Sequence, residues 1–339
     1  MRLLLVEIRR FFRRRFGLIM SLATIGVMGV ILVVSMANSH KPSASEIEYA
    51  EAEANRARVD MQAQQQECLL MTDLPREVDG DYNYYAGEDC DQYDPDLVDT
   101  ADFLSGVITF TQDAPPLMYA FGALIAMAGM VTAASFIGAE WPSGGMTNLM
   151  LWKPRRMEVF FSKLGASVIT VTAGAIGLTA VFLFLLWAIT SIGGYVGDVN
   201  GAWLGNFIEQ SLRMALLPVL LTLIGFAIAM LGRRTAAALG ALAAYAVVFE
   251  FGLRLLAQLL PGLYYLEAGL LSPYVIAWLD GHYRIEDNTY YYDEYTDGSY
   301  LDRGIDINAF GGFCALVLFT AVLVAVAGFV FKRRDVANN

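Results

Sequence analysis

Residues 1–37, MRLLLVEIRRFFRRRFGLIMSLATIGVMGVILVVSMA, decide the fold. Arg2, Arg9, Arg10, Arg13, Arg14 and Arg15 lead into a run at 17–36 that carries no charge. A helix needs ~20 apolar residues to cross the hydrocarbon core of a bilayer, and this run supplies them. Five more largely apolar runs follow, at 116–139, 164–190, 214–231, 236–260 and 309–331. Basic clusters return at every second gap. Lys153, Arg155, Arg156 and Lys163 lie between the second and third runs, Arg233 and Arg234 between the fourth and fifth, and Lys332, Arg333 and Arg334 after the sixth. With the first cluster they hold 15 of the 23 Lys and Arg residues. Lys- and Arg-rich loops stay on the cytoplasmic side. The alternation therefore predicts an all-α integral membrane protein with six transmembrane helices and both termini cytoplasmic.

Composition agrees: 56% of residues are hydrophobic and 17% charged, and the mean hydropathy is +0.48, which is membrane-protein territory. The net charge of −11 hides two opposed surfaces. The predicted cytoplasmic pieces set those 15 bases against Glu7, Glu140, Glu158 and Asp335, while residues 38–115 hold 18 acids against Lys41, Arg56, Arg58 and Arg76. Residues 261–308 add nine acids against Arg284 and Arg303. An acidic outer face argues against nucleic acid as a partner. The basic inner face suits membrane lipid with anionic headgroups.

The chain divides accordingly. Residues 1–16 alternate apolar and basic positions and predict a cytoplasmic interfacial helix, followed by the first transmembrane helix at 17–37. Ser35-Met36-Ala37 also has the small residues of a signal-cleavage site, but the run exceeds a signal h-region; cleavage would leave five spans. Residues 38–115 form a large extracytoplasmic acidic cap segment. Within it, 44–67 reads as a helix with Ser45 and Glu48 spaced as a capping box and a weak period through Ile47, Ala50, Ala54, Met61 and Cys68. Residues 73–102 read as turns. Residues 116–260 carry spans two to five with the loop 140–163.

Residues 261–279, PGLYYLEAGLLSPYVIAWL, are apolar but interrupted by Pro261, Gly262, Glu267 and Pro273. A seventh span here would put the basic C-terminus outside, so re-entrant or interfacial helices are expected. A second acidic outer segment completes 261–308. Its Tyr290-Tyr291-Tyr292-Asp293-Glu294-Tyr295 resembles the first outer segment, and one joint cap is expected. The sixth span, 309–331, and a cytoplasmic tail, 332–339, end the chain.

Of three cysteines, Cys68 and Cys90 fall in the outer segment, where an oxidising compartment favours a disulfide over two free thiols. Cys314 in the sixth run reads as a small apolar filler. His40 and His282 are the only histidines and both lie outside the runs, which disfavours histidine-ligated membrane metalloproteases and Ser–His intramembrane hydrolases. No GxxxxGK[ST] loop occurs, so the chain does not hydrolyse ATP through a P-loop of its own. Asp79, Asp81 and Asn83 begin like a calcium loop, but Tyr84 and Cys90 replace its required Gly and Glu, and a solvated acidic face is the plainer reading.

Charges inside the runs are scarce. Glu250 and Arg254, next to Phe249, lie four apart on one helix face and either neutralise each other or line a pathway. Met118, Gly122, Ala126 and Met130 in the second run suit close helix packing, or, on a sharper reading, an amphiphilic substrate or a dimer interface.

Residues 140–163, EWPSGGMTNLMLWKPRRMEVFFSK, are the most specific stretch. They resemble the loop of type-2 ABC transporter permeases, where an acid ends the second span and Gly-Thr leads into a short apolar helix. Pro, Arg and a Lys opening the third span follow. Glu140, Gly145, Thr147, Leu149, Leu151, Pro154, Arg156 and Lys163 match. The ending from Phe331 to Val336, six spans and broken helices between the fifth and sixth fit as well. Trp141-Pro142 and Trp152 depart from the pattern and leave the extent of the helix open.

The resemblance implies an ATPase-coupling loop made by Glu140, Gly144, Gly145, Met146, Thr147, Leu149, Met150, Leu151, Pro154, Arg155, Arg156 and Lys163, with Met146, Leu149, Met150 and Leu151 filling a groove on a separate ABC ATPase. It implies two ATPase copies that bind ATP and Mg, no cofactor in this chain, and a second permease copy or a homologous permease. The function implied is ATP-driven export of an amphiphilic substrate (drug, peptide or lipid-like) across a bacterial plasma membrane; this chain is not an enzyme by itself. The alternative is a non-transporting sensor or immunity protein whose outer cap binds a peptide.

Overall fold

The computed structural model describes residues 2–74, 77–78, 81–82, 90–260, 263–285 and 304–333. Asp79, Asn83 and Tyr84 of the calcium-like spacing, the tyrosine run 290–295, Pro261, Gly262 and the tail from Arg334 lie outside them. The chain is mostly helical, and six of its helices are long and apolar enough to cross a membrane: Arg15–Ala37, Phe110–Gly138, Arg156–Gly193, Gly201–Gly232, Thr235–Ala257 and Ala309–Arg333.

In chain order the helices are α1 (Arg2–Phe12), α2 (Arg15–Ala37), α3 (Ala44–Met71), α4 (Phe110–Gly138), α5 (Gly145–Trp152), α6 (Arg156–Gly193), α7 (Gly201–Gly232), α8 (Thr235–Ala244), α9 (Arg254–Leu259), α10 (Ser272–Asp280) and α11 (Ala309–Arg333). A π-helix, Tyr245–Leu253, joins α8 to α9 within the fifth span. Two small antiparallel pairs accompany them: β1 (Glu77–Val78) with β2 (Asp81–Tyr82), and β3 (His282–Ile285) with β4 (Ile305–Asn308). The strands are a local addition to the expected all-α architecture, and β3 and β4 bring the two ends of the second acidic segment together.

The fold comprises two compact units, Met1–Ile25 with Gly122–Leu178 and Leu212–Asn339, and Gly26–Phe121 with Thr179–Ser211. The two acidic segments belong to different units. In the second unit the disulfide forms as expected, with Cα atoms of Cys68 and Cys90 5.7 Å apart. It ties α3 to the turns that follow. Ala50, Ala54 and Cys68 are buried, as their helical spacing predicts. Arg58 donates to the Val98 carbonyl (3.0 Å) and to Asp198 (2.6 Å), fastening α3 to the segment before α7.

The second span begins at Phe110, six residues ahead of the predicted start, and contains Pro115 and Pro116. Pro115 has no N–H to offer the Thr111 carbonyl. Trp203 Nε1 donates to that carbonyl instead, at 3.1 Å, so the acceptor that Pro115 frees is satisfied.

The capping box of α3 lies two residues earlier than expected. Ser43, not Ser45, caps the helix: its hydroxyl accepts from the Glu46 N–H and its own N–H donates to Glu46 at 2.7 Å. Both pairs satisfy the S-x-x-E pattern, and the upstream one prevails because helix begins as soon as Pro42 is passed. Bonds from the Ser43 N–H and hydroxyl, and then His40, hold the Glu46 carboxyl at about 2, against an ordinary 4.5. A depressed carboxyl stabilises the fold above its unfolded pKa and loses that contribution as pH falls through its folded one. The first turn of α3 is therefore expected to lose protection between pH 4.5 and about 2. Ser43→Ala should weaken the helix start by about 1 kcal/mol. Amide exchange of residues 46–48 checks both; exchange indifferent to acid in the unsubstituted chain would refute the box.

Candidate functional site: the basic loop and its short helix

The first unit gathers all four basic clusters through direct contacts. α1 buries Phe11 and Glu7 while Leu5, Val6 and Phe12 remain exposed, the two-faced pattern of an interfacial helix. Phe11 lies against Phe136 of α4 with ring centroids 5.0 Å apart. Arg233 sits over the Trp141 ring, 4.9 Å from its centroid. Arg156 donates to the Lys332 carbonyl at 3.2 Å. Gly138 lets α4 end against the start of α8: a Cβ there would fall 2.3 Å from the Thr235 nitrogen.

At the centre is a buried ion cluster. Lys163 Nζ reaches Glu7 at 2.9 Å and Glu140 at 2.7 Å. Arg14 meets the other Glu140 oxygen at 3.1 Å and donates to the Ser135 carbonyl at 3.0 Å. Both cations also lie over the Phe136 ring, Arg14 at 4.9 Å and Lys163 at 5.1 Å. Lys163 and Glu7 are fully buried. Burying charge is costly unless each ion has its partner, so this cluster fixes one relative placement of α1, the end of α4 and the start of α6.

From that base the loop projects α5. After the 139–144 turn, Gly144 takes φ +70°, a left-handed conformation that suits glycine, and caps the helix. The helix includes Trp152, and Pro154 follows directly, so the departures Trp141-Pro142 and Trp152 bound it without shortening it. Lys153 and Arg155 both pair with Glu158, each at 2.8 Å, bracing the connection into α6.

The faces of α5 divide sharply. Met146 is buried in the core cluster that includes Phe136, Ile137 and Phe160, and Leu149 and Met150 pack partly against the same cluster. Leu151 and Trp152 are 78% and 87% exposed. Met146, expected to fill a groove on a partner, is instead a footing in this chain's own core, because it points towards α4 and α6. Thr147, Pro154 and Arg155 are exposed. A recess lined by Arg10, Arg13, Arg14, Asn148 and Trp152 lies beside the exposed end. The sequence reading missed Glu7, Arg14 and Trp152. The signal for Glu7 was an acid alone among six arginines.

The pathway candidates fall elsewhere. Ala126 and Met130 are buried, and Gly122 makes room for Met214, whose Cε would lie 2.4 Å from a Cβ. In the second unit Met118 is buried, with Ser211 Oγ 3.0 Å from its sulfur. These four therefore pack against this chain's own helices. Glu250 and Arg254 meet through a third residue. Ser272 Oγ donates to Glu250 (2.6 Å) and accepts from Arg254 (2.8 Å), and the Tyr245 hydroxyl donates to Glu250 at 2.7 Å. Ser272 opens α10, so the charges in the fifth span are compensated by the broken segment that follows it. Phe249 is exposed. Cys314 also lies on an exposed helix face rather than filling a core.

A family model described as an ABC-2 family transporter protein matches residues 1–336. No curated protein and no solved structure matches the chain.

Proposed function

Because the chain belongs to the ABC-2 transporter family, we propose that it is the permease subunit of an ATP-driven exporter in a bacterial plasma membrane, with α5 as the docking element for a separate ABC ATPase. The observation that carries this reading is the exposed Leu151–Trp152 end of α5, raised on a buried ion cluster. Two large apolar side chains held clear of the protein on a short braced helix suit a hydrophobic recess on a partner. The rigid footing supports transmission of a push on α5 to α4 and α6.

Contact among all four basic clusters supports placing both termini and this docking face in the cytoplasm. The mechanism follows from two states. ATPases that bind ATP and close would move the α5 elements of two permease copies, or of this chain and a homologue, and so exchange inward- and outward-facing forms. ATP and Mg belong to the ATPases; this chain contributes no catalytic group.

Glu140→Gln and Thr147→Ala test the coupling. Each is expected to lower substrate-dependent ATP turnover, by about tenfold for Glu140→Gln because the ion cluster loses a charge, while both proteins still insert in the membrane. Full turnover in both would remove the docking assignment.

A further inference from the structure

The fifth span is thinly covered, with few of its residues buried. On one side of it lies a cleft of about 420 Å³, bounded by α4, α7, α8, α10 and α11. Its walls are aliphatic, with Leu220 and Ile224 from α7, Leu316 and Leu323 from α11, and Ala241 from α8. Thr320 turns its hydroxyl back to the Leu316 carbonyl, and the polar end is where Tyr245, Glu250 and Ser272 meet. On the opposite side of the span Val247, Val248 and Phe251 lie outside the cleft's lining and are exposed.

The polar end is electrically balanced. Glu250 accepts from Tyr245 and from both the Ser272 hydroxyl and its backbone N–H, while Arg254 donates to Ser272. A cationic ligand would compete with Arg254 and an anionic one with Glu250. Of the two Glu250 oxygens, one accepts from Tyr245 and the Ser272 N–H and the other from the Ser272 hydroxyl, which leaves the second with room to accept from one neutral hydroxyl.

We propose that this cleft binds one neutral amphiphile, an aliphatic body lying between α7 and α11 with a single hydroxyl head at the Tyr245–Glu250–Ser272 end, and that such molecules are the cargo. The cargo assignment rests on the permease reading; the binding site does not. The volume suits a ligand of this size, and the thinly covered fifth span offers entry from the bilayer.

The test uses the full chain in lipid nanodiscs and dodecanol carrying a photoactivatable diazirine in its chain. After irradiation the labelled peptides are mapped by mass spectrometry. Labels are expected within 217–228 and 316–323, to be lost on adding excess dodecanol, and to fall about tenfold in Ala241→Trp, which fills the cleft. Val248→Trp, on the opposite side of the span, should leave them unchanged and so controls for folding. Labelling confined to 247–251, or undiminished in Ala241→Trp, would overturn the proposal. Because no ATPase is needed, cleft labelling in a chain that never recovers an ATPase would overturn cargo status alone. An ATPase recovered with an unlabelled cleft would overturn the cleft alone.

Discussion

Replacing Lys163 with methionine is expected to destabilise the first unit by about 3–5 kcal/mol, the usual penalty for removing one partner from a buried ion cluster. Methionine preserves most of the side-chain volume, so the loss is electrostatic rather than a cavity. It strands Glu7, whose remaining cation is Arg10 at 3.5 Å on a largely exposed side chain, and leaves Glu140 to Arg14 alone. The diagnostic is the second substitution. Lys163→Met with Glu7→Gln removes the stranded charge and should recover more than half of the loss, a coupling that independent sites would not show. Thermal unfolding of the detergent-solubilised chain provides the readout. A single variant as stable as the parent, or a double variant worse than the single, would contradict the cluster's structural role.

A second large effect is expected at the tip of α5. Trp152→Asp should weaken association with the ATPase by about 30-fold or more, as expected when a large aromatic anchor at an interface is lost. Leu151→Asp should follow with a smaller loss. Met146→Ala makes the informative contrast. Met146 is buried in this chain's own core, so its truncation should lower stability by about 2–5 kcal/mol and affect association only through it. Binding of the ATPase to reconstituted variants, measured alongside their unfolding temperatures, separates the two behaviours. Equal association for the parent and Trp152→Asp would remove α5 from the interface.

The six spans were legible because a bilayer demands long apolar runs whatever the tertiary contacts. The helix α3, its buried Ala50, Ala54 and Cys68, and the disulfide were legible for similar reasons: local period and compartment chemistry. What escaped depended on contacts distant in sequence. The start of α4 at Phe110 was hidden by Pro115 and Pro116, and Trp203, some 90 residues on, satisfies the carbonyl that Pro115 frees. Ser43 and Ser45 offered competing caps in the same short stretch, and spacing alone does not rank them.

The loop 140–163 shows the same division. The family resemblance was legible in Glu140, Gly145, Thr147, Pro154 and Lys163, while the direction each side chain takes was not. Met146 and Leu151 are both apolar in an eight-residue helix. The first is buried in a core cluster that other helices supply, with Phe136 and Phe160 among its members, and the second is exposed. Glu250 and Arg254 were read as partners and are joined through Ser272, a residue beyond a break in the chain that period analysis does not bridge.

The most direct test of the central claim is purification of the tagged chain from its native membrane in mild detergent, followed by mass spectrometry of the proteins recovered with it. A stoichiometric P-loop ATPase, lost when Trp152 is replaced by Asp, is the predicted result. Recovery of the folded chain without any ATPase, under conditions in which control transporters keep theirs, would contradict it.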